Sequence, residues 1–393
     1  MSQAGQILVE CLRATPPRPV AAPGGLGALD PIAFAGAAAF HKVVAYVRES
    51  LGQTPGVDQA VLDALERVYE EQVRTHLRAL HDLAKVSARL GRAGVPWLVL
   101  KGPVLAMRYP RADLRGYTDL DLVVPGTALN DAVAALDDGG TTMIDRNWEL
   151  LRRTTPGEVH LRLAHGTTAD LHWHLLNRAP LRAAFRVDMV GVFERARQVT
   201  TGPVPVATLG RADTVVHLGL HGCLSGGNRI GWLKDIEQCL LSEEPDWDEI
   251  VVRAREWRAG LALAAMVIRA QRVLALPVPP GVVRSLAPGR AWRAAVALAD
   301  RAAPLEHSTG HRSLPRMMAL STRADVRSSL YTLARYAAGW MGEGGVFRRD
   351  PPAGPNRDPT SLDSLLHAAG TEGDRAAYFA AVTAESDAAN PGR

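Results

Sequence analysis

The stretch WLVLKGPVLAMRYPRADLRGYTDLDLVVP, Trp97–Pro125, decides how the rest of the chain is read. It opens inside a dense apolar run, Val95–Leu100, whose length and branched residues predict a buried strand. Lys101 and Gly102 follow at once, and Pro103–Tyr109 fits a short helix with proline suited to its first position. Thr118–Pro125 then alternates, with Asp119 and Asp121 on one face and Leu120 and Leu122 on the other. Two carboxylates on one strand face can share a divalent cation, and their hard oxygens suit Mg²⁺. The turn from strand to helix offers backbone N–H groups and a helix dipole to an anion such as phosphate. Gly102, without a Cβ, permits close approach there. Lys101 supplies a point charge, and Arg115 can contact phosphate or hold a carboxylate.

A third carboxylate, Asp170, lies in TADLHWHLL, residues 168–176, in a strand setting like that of Asp119 and Asp121. If its strand lies beside theirs, three carboxylates converge. Two would hold metal, and the third would hold metal or accept the proton of an attacking hydroxyl. That is the arrangement for in-line phosphoryl or nucleotidyl transfer. His172 shares the face of Asp170 and can orient it, and His174 follows on the same face while Trp173 points the other way. His217 and His221 sit four apart on an expected helix, half of a zinc pattern with no third ligand, and read as packing or lining residues.

Outward from this segment the pattern is mixed. Pro and Gly dominate residues 15–31, and Asp30–Leu51 is a first helical segment. Val57–Leu90 is strongly periodic, with Asp58 as N-cap and Gly91 and Gly94 at its end. Thr127–Asp138 is an amphipathic helix. Glu149–Arg153, Glu158–Leu163 and Thr168–His174 are expected strands. Helices are expected at 211–224, 230–242, 247–258, 260–276 and 289–302, with Asp246 and Glu249 forming a capping box, and again at 312–341. Residues 343–360 and 385–393 read as loose. These expectations divide the chain into an N-terminal arm and helical segment (1–94), an α/β catalytic domain (95–205), a helical domain (206–342) and a loosely structured tail with a short helix (343–393).

The order of these motifs resembles the nucleotidyltransferase superfamily of the DNA polymerase beta type. More narrowly, it is similar to the bacterial family called uncharacterised nucleotidyltransferase. The resemblance rests on Leu100-Lys101-Gly102, Tyr109-Pro110, Arg115, Asp119-Leu120-Asp121-Leu122-Val123 and Asp170-Leu171-His172-Trp173. It continues in Leu218-x-x-His221 and Trp232-Leu233-Lys234-Asp235, and spans roughly residues 60–280. It implies an α+β fold, a polymerase beta-type mixed-sheet domain flanked by N-terminal helices and a C-terminal helical domain. It also implies Mg²⁺ and a nucleoside triphosphate, with ATP expected. Asp119, Asp121 and Asp170 would hold the metal and perform the chemistry. Lys101, Gly102 and Arg115 would hold phosphates, and Lys234 on the helical side would add a cation to them.

The implied reaction moves a nucleoside monophosphate to a hydroxyl or phosphate on a small molecule or peptide, with tailoring of a natural product as the expected setting. One departure motivates an alternative. Many active superfamily members place Ser or Gly after the glycine, whereas Pro103 removes one N–H from the anion site. The alternative is a catalytically inactive accessory protein that binds nucleotide or peptide with the same fold.

Composition narrows the remaining classes. Hydrophobic residues make up 47% of 393 and charged residues 22%, enough for a proper core. A net charge of +4 without a basic block argues against nucleic acid as partner. Lysine occurs only at Lys42, Lys85, Lys101 and Lys234, against an arginine-rich background that suggests codon bias. Cys11, Cys223 and Cys239 are too few and too dispersed for a disulfide framework. No apolar stretch approaches the ~20 residues of a bilayer span, and no signal segment is evident, so a cytoplasmic protein without a membrane partner is expected.

Overall fold

A computed structural model describes residues 3–21, 29–137, 140–287, 289–290, 292–294, 297–298 and 362–388. The expected helix at 312–341 and the loose segment at 343–360 lie outside these residues, as does half of 289–302. The chain forms two compact units. One takes the described residues of Met1–His76, Leu105–Tyr117 and Arg211–Ser329. The other takes those of Leu77–Val104, Thr118–Gly210 and Leu330–Arg393.

The first unit is helical. Its N-terminal part holds α1 (Gln3–Arg13), α2 (Pro31–Phe40), α3 (Val44–Gly52) and the first half of α4 (Gln59–Arg92). Asp30 caps α2 by accepting from the N–H groups of Ile32 and Ala33, both at 2.9 Å. Asp58 caps α4 through the N–H of Ala60, at 2.9 Å. No signal marks α1 in the Pro-rich N-terminal sequence. Its helix is held by burial of Ile7, Leu8, Cys11 and Leu12.

The later helices of this unit form a bundle in which α10 (Arg211–Leu224), α11 (Ile230–Ser242), α12 (Trp247–Glu256) and α13 (Gly260–Leu274) follow the expected periods, while α14 (Pro280–Leu286) is a short helix that was not expected. Gly219 lets α10 press against α13, because a Cβ there would meet Leu263 at 2.6 Å. Asp246 caps α12 through the N–H of Glu249 at 2.9 Å, as the capping-box pattern requires.

The second unit carries a seven-stranded mixed sheet in the order β3-β4-β5-β2-β1-β7-β6. The strands are β1 (Leu98–Val99), β2 (Asp119–Val123), β3 (Thr142–Met143), β4 (Glu158–Arg162), β5 (Thr168–His172), β6 (Arg197–Thr201) and β7 (Val204–Thr208). β2 runs parallel to β5 and antiparallel to β1, and β4 runs antiparallel to β5. Leu98, Val99, Leu120, Leu122, Val159, Leu161, Ala169 and Leu171 are all buried, so the apolar positions of these strands build the core. α5 (Pro103–Ala106) follows β1, and α6 (Leu129–Leu136) follows β2.

Three features depart from the expected elements. Glu149–Arg153 is not a strand but lies within a helix, α7 (Trp148–Thr154), capped by Asn147 through the N–H of Leu150 at 3.0 Å. The β6–β7 hairpin, turning at Gly202 with φ +55°, adds β7 beside β1. The hydroxyl of Thr208 donates to the Val99 carbonyl at 2.6 Å and fixes that junction. Finally, this unit holds α8 (Ala179–Ala184) and α9 (Met189–Glu194) between β5 and β6, and a C-terminal segment with α15 (Leu362–Leu365) and α16 (Glu372–Ala388) also belongs to it. α16 supplies the helix expected in the tail and runs on to Ala388, past residue 385 where a loose end is expected. It buries Tyr378, Phe379 and Val382, and Glu385 accepts two hydrogen bonds from Arg182 at 2.7 and 2.9 Å.

Candidate active site

Strand register builds the site. β2, β5 and β4 are neighbours, and directly opposed residues on one face form rows. Asp121 opposes Asp170, which opposes His160. In the next row Val123 opposes His172, which opposes Glu158. The sequence alternation of Asp119-Leu120-Asp121 and Asp170-Leu171-His172 thus puts polar groups on one face and leucines in the core on the other. Thr168 opposes Asp119 at the start of β2, where Asp119 is only half-buried.

Lys101, at the end of β1, reaches this face. Its Nζ lies 2.7 Å from Asp121 Oδ1, with both side chains about nine-tenths buried. Burial alone would lower the ammonium pKa, but Asp121, Asp119 and Asp170 together hold it above its ordinary value. Burial would likewise raise Asp121, but Lys101 and His172 hold it well below the usual carboxylate range. Asp170 has no cation as close as Lys101 is to Asp121, and the nearby His160 only partly offsets its burial. Burial and the charge of Glu158 push it up to about 7.

Two histidines stand behind the carboxylates. His172 Nδ1 lies 3.0 Å from Glu158 Oε2 and its Nε2 lies 3.5 Å from Asp121 Oδ1. Neither contact has hydrogen-bond geometry, so both buried ring nitrogens are left without a hydrogen-bond partner. Burial works against the His172 cation, yet Glu158 and Asp121 raise it to about 10. Reciprocally, His172 holds Glu158 below its ordinary value against the effect of burial. His160 is clamped by Asp145, which accepts from its backbone N–H at 2.8 Å and lies 3.0 Å from Nδ1. Its Nε2 stands 3.8 Å from both Glu158 and Asp170. Burial opposes the His160 cation, but Asp145 raises it to about 9.

Among the described residues, Asp121, Asp170 and His172 bring three potential ligand atoms within 4.8 Å of one another. Two carboxylates and a buried imidazole with unsatisfied nitrogens form a donor set that fits a divalent cation. Glu158, His160 and Asp145 were not singled out by sequence reasoning. The polar-apolar-polar run Glu158-Val159-His160 carried the signal, but its register against Asp170 did not show in one dimension.

The other expected site residues are placed differently. Gly102 takes a left-handed φ of +59°, which makes the sharp turn after β1 possible. The helix that follows it has four residues, so little macrodipole accumulates for an anion. Arg115 and Lys234 belong to the helical unit. There Arg115 donates to both oxygens of Asp235 at 2.7 and 2.9 Å, and Tyr109 donates to Asp235 at 2.8 Å. Lys234 is 1% exposed, paired with Glu237, and donates to the Leu12 carbonyl at 2.7 Å and to Thr15 Oγ1 at 2.9 Å. Both cations therefore answer internal partners.

His174 follows β5 and accepts the N–H of Leu176 at 3.0 Å; burial and Arg182 lower it to about 3, so it is a neutral structural histidine. Trp173 lies on the buried side and donates to the Pro156 carbonyl at 2.6 Å. His217 and His221 face each other at 5.9 Å, and His221 meets Trp232 edge-on, as packing residues do.

This site sits on a mixed sheet in an α+β chain that matches the family of uncharacterised nucleotidyltransferases over residues 28–275, and the chain belongs to that family. It is accordingly a transferase of phosphorus-containing groups, whose family implies a nucleoside triphosphate as substrate. No curated protein matches the chain. Among the described residues, no helix is long and apolar enough to cross a membrane.

Proposed function

We propose that the protein is a divalent-cation-dependent nucleotidyltransferase that moves a nucleoside monophosphate from a triphosphate, with ATP expected, to a hydroxyl or phosphate acceptor on a small molecule or peptide. The observation that carries this reading is the register of Asp121 against Asp170 on parallel strands, with Asp119 on the same face at the strand start. Asp121 and Asp170 would hold the cation, with Asp119 beside them. The cation would neutralise charge on the phosphates and on the attacking and leaving oxygens. Lys101 holds the Asp121 carboxylate in its ionised form and in place. Asp170 is also the candidate to receive the acceptor's proton. Pyrophosphate is the leaving group.

The test is incubation of the protein with each NTP and candidate acceptors, read by mass spectrometry. A mass gain of one nucleotide on an acceptor is the expected result. Asp121→Asn should reduce turnover by roughly three orders of magnitude, as removing a group aimed at transition-state charge does. Turnover at the wild-type rate in that variant would refute the assignment. Saturable NTP binding with no product over a broad acceptor screen would favour a binding role, a reading that Pro103 after Gly102 keeps open. A role in natural-product tailoring would be supported by product formation on a peptide or metabolite encoded beside the gene.

A further inference from the structure

Of the three converging residues His172 alone offers nitrogen, and both of its buried ring nitrogens lack a hydrogen-bond partner. The residue is 8% exposed. The ring supplies one atom of the group that converges with the Asp121 and Asp170 oxygens, and its Nε2 lies 3.5 Å from Asp121 Oδ1. On the other side of the ring, Nδ1 faces Glu158 Oε2 at 3.0 Å. Glu158 is itself held, since Asn177 Nδ2 donates to its Oε1 at 2.6 Å.

A carboxylate behind one ring nitrogen and a gathering of carboxylate oxygens before the other is the usual surrounding of a metal-bound histidine. Lys101 shares Asp121 with that gathering.

Resting on the metal-dependent reading above, we infer that His172 binds the ion directly through Nε2, that Glu158 positions its ring, and that this nitrogen makes the site select a first-row transition dication, Mn²⁺ among them, over Mg²⁺. Mg²⁺ takes oxygen ligands and keeps its waters. Imidazole gains relative affinity across the first transition row, while two carboxylates keep the set hard enough for Mn²⁺. An ion at Nε2 takes the place of any proton there.

The experiment uses the full chain stripped of metal, with Mn²⁺ alone and Mg²⁺ alone as probes. Calorimetry gives the two affinities, and pulsed EPR of the Mn²⁺ complex reads the ligand atoms without any variant. The expected result is tighter binding of Mn²⁺ than of Mg²⁺, with ¹⁴N modulation from one imidazole. His172→Gln should abolish that modulation and weaken Mn²⁺ by about tenfold or more, leaving Mg²⁺ within about threefold. Glu158→Gln should weaken Mn²⁺ by about 10–100-fold while retaining the nitrogen signal, as loss of a supporting carboxylate does. An all-oxygen Mn²⁺ spectrum, or an unchanged Mn²⁺ to Mg²⁺ ratio in a folded His172→Gln protein, overturns this inference and leaves the metal-dependent reading intact. Absence of binding by either ion, or binding unchanged by Asp121→Asn, overturns both.

Discussion

Lys101 and Lys234 show how differently two residues of one type are used. Both stand out in an arginine-rich sequence, and both fall in segments where a triphosphate is expected. Lys101 ends against Asp121 on the polar face of the sheet, in a space that an ammonium fits. A guanidinium there is longer, planar and more weakly hydrated. Lys101→Arg should therefore lower kcat/KM for the NTP by about tenfold or more, on the order of 1.4 kcal/mol, and steady-state kinetics would read this.

Lys234 instead closes a buried pair with Glu237 inside the helical unit. Removing one partner leaves the other charge uncompensated. Lys234→Met should therefore lower stability by about 3–5 kcal/mol, measured by urea unfolding. Little change in unfolding would mean that Glu237 is neutral or finds another partner. The sequence makes both lysines conspicuous, but nothing in it separates a site cation from a buried structural one. That distinction depends on which carboxylate lies within reach.

At the scale of elements, the long periodic segments are readable and the short ones are not. α4, α10, α11, α12 and α13 follow their hydrophobic periods within a few residues, because each period repeats over several turns. The five residues Glu149–Arg153 offer too few positions to separate a period of 2 from one of 3.6. What makes them a helix is the Asn147 cap together with packing against α16, which lies more than two hundred residues later in the chain. Asn147→Ala should cost about 1 kcal/mol, visible as a shift of the denaturant midpoint. A neutral result would show that α16 alone holds α7. The β6–β7 hairpin was missed for a related reason. Its central turn, Gly202-Pro203, is legible, but its place beside β1 is a long-range pairing.

For the molecule as a whole, electrostatics leads to two expectations. The first concerns metal. If the cluster binds a dication only in the folded state, metal at a hundredfold excess over Kd should add ~2.7 kcal/mol of stability. Calorimetric unfolding with Mn²⁺ and then with EDTA checks this, and an unchanged Tm would count against a site formed by folding. The second concerns acid. Asp82 is 1% exposed and accepts from the His165 N–H at 3.0 Å and the Thr167 N–H at 3.3 Å, with His165 Nδ1 at 2.8 Å. Burial would raise its pKa, but these donors hold it below the ordinary value. A carboxylate with a depressed folded pKa stabilises fully above its unfolded pKa, about 3.9, and loses that contribution as pH falls through the folded value. Asp82→Asn should thus cost about 1–3 kcal/mol at neutral pH. The gap from wild type should close below about pH 4. A gap that stays constant down to pH 3 would assign the loss to packing.

The amino-acid sequence by itself determined the α+β class, the strand-turn-helix at Lys101–Gly102, the common face of Asp119 and Asp121 on one strand, and that of Asp170 and His172 on another. These follow from periodicity and from local steric rules, which act over a few residues. Only the tertiary structure decided that Asp121 opposes Asp170, that Glu158 and His160 stand behind them, and that Arg115 and Lys234 are bound to internal carboxylates. Those facts depend on strand register and helix packing between residues tens to hundreds of positions apart. There, the burial of a charge and the distance to its partner set its chemistry, and neither is written in the neighbouring residues.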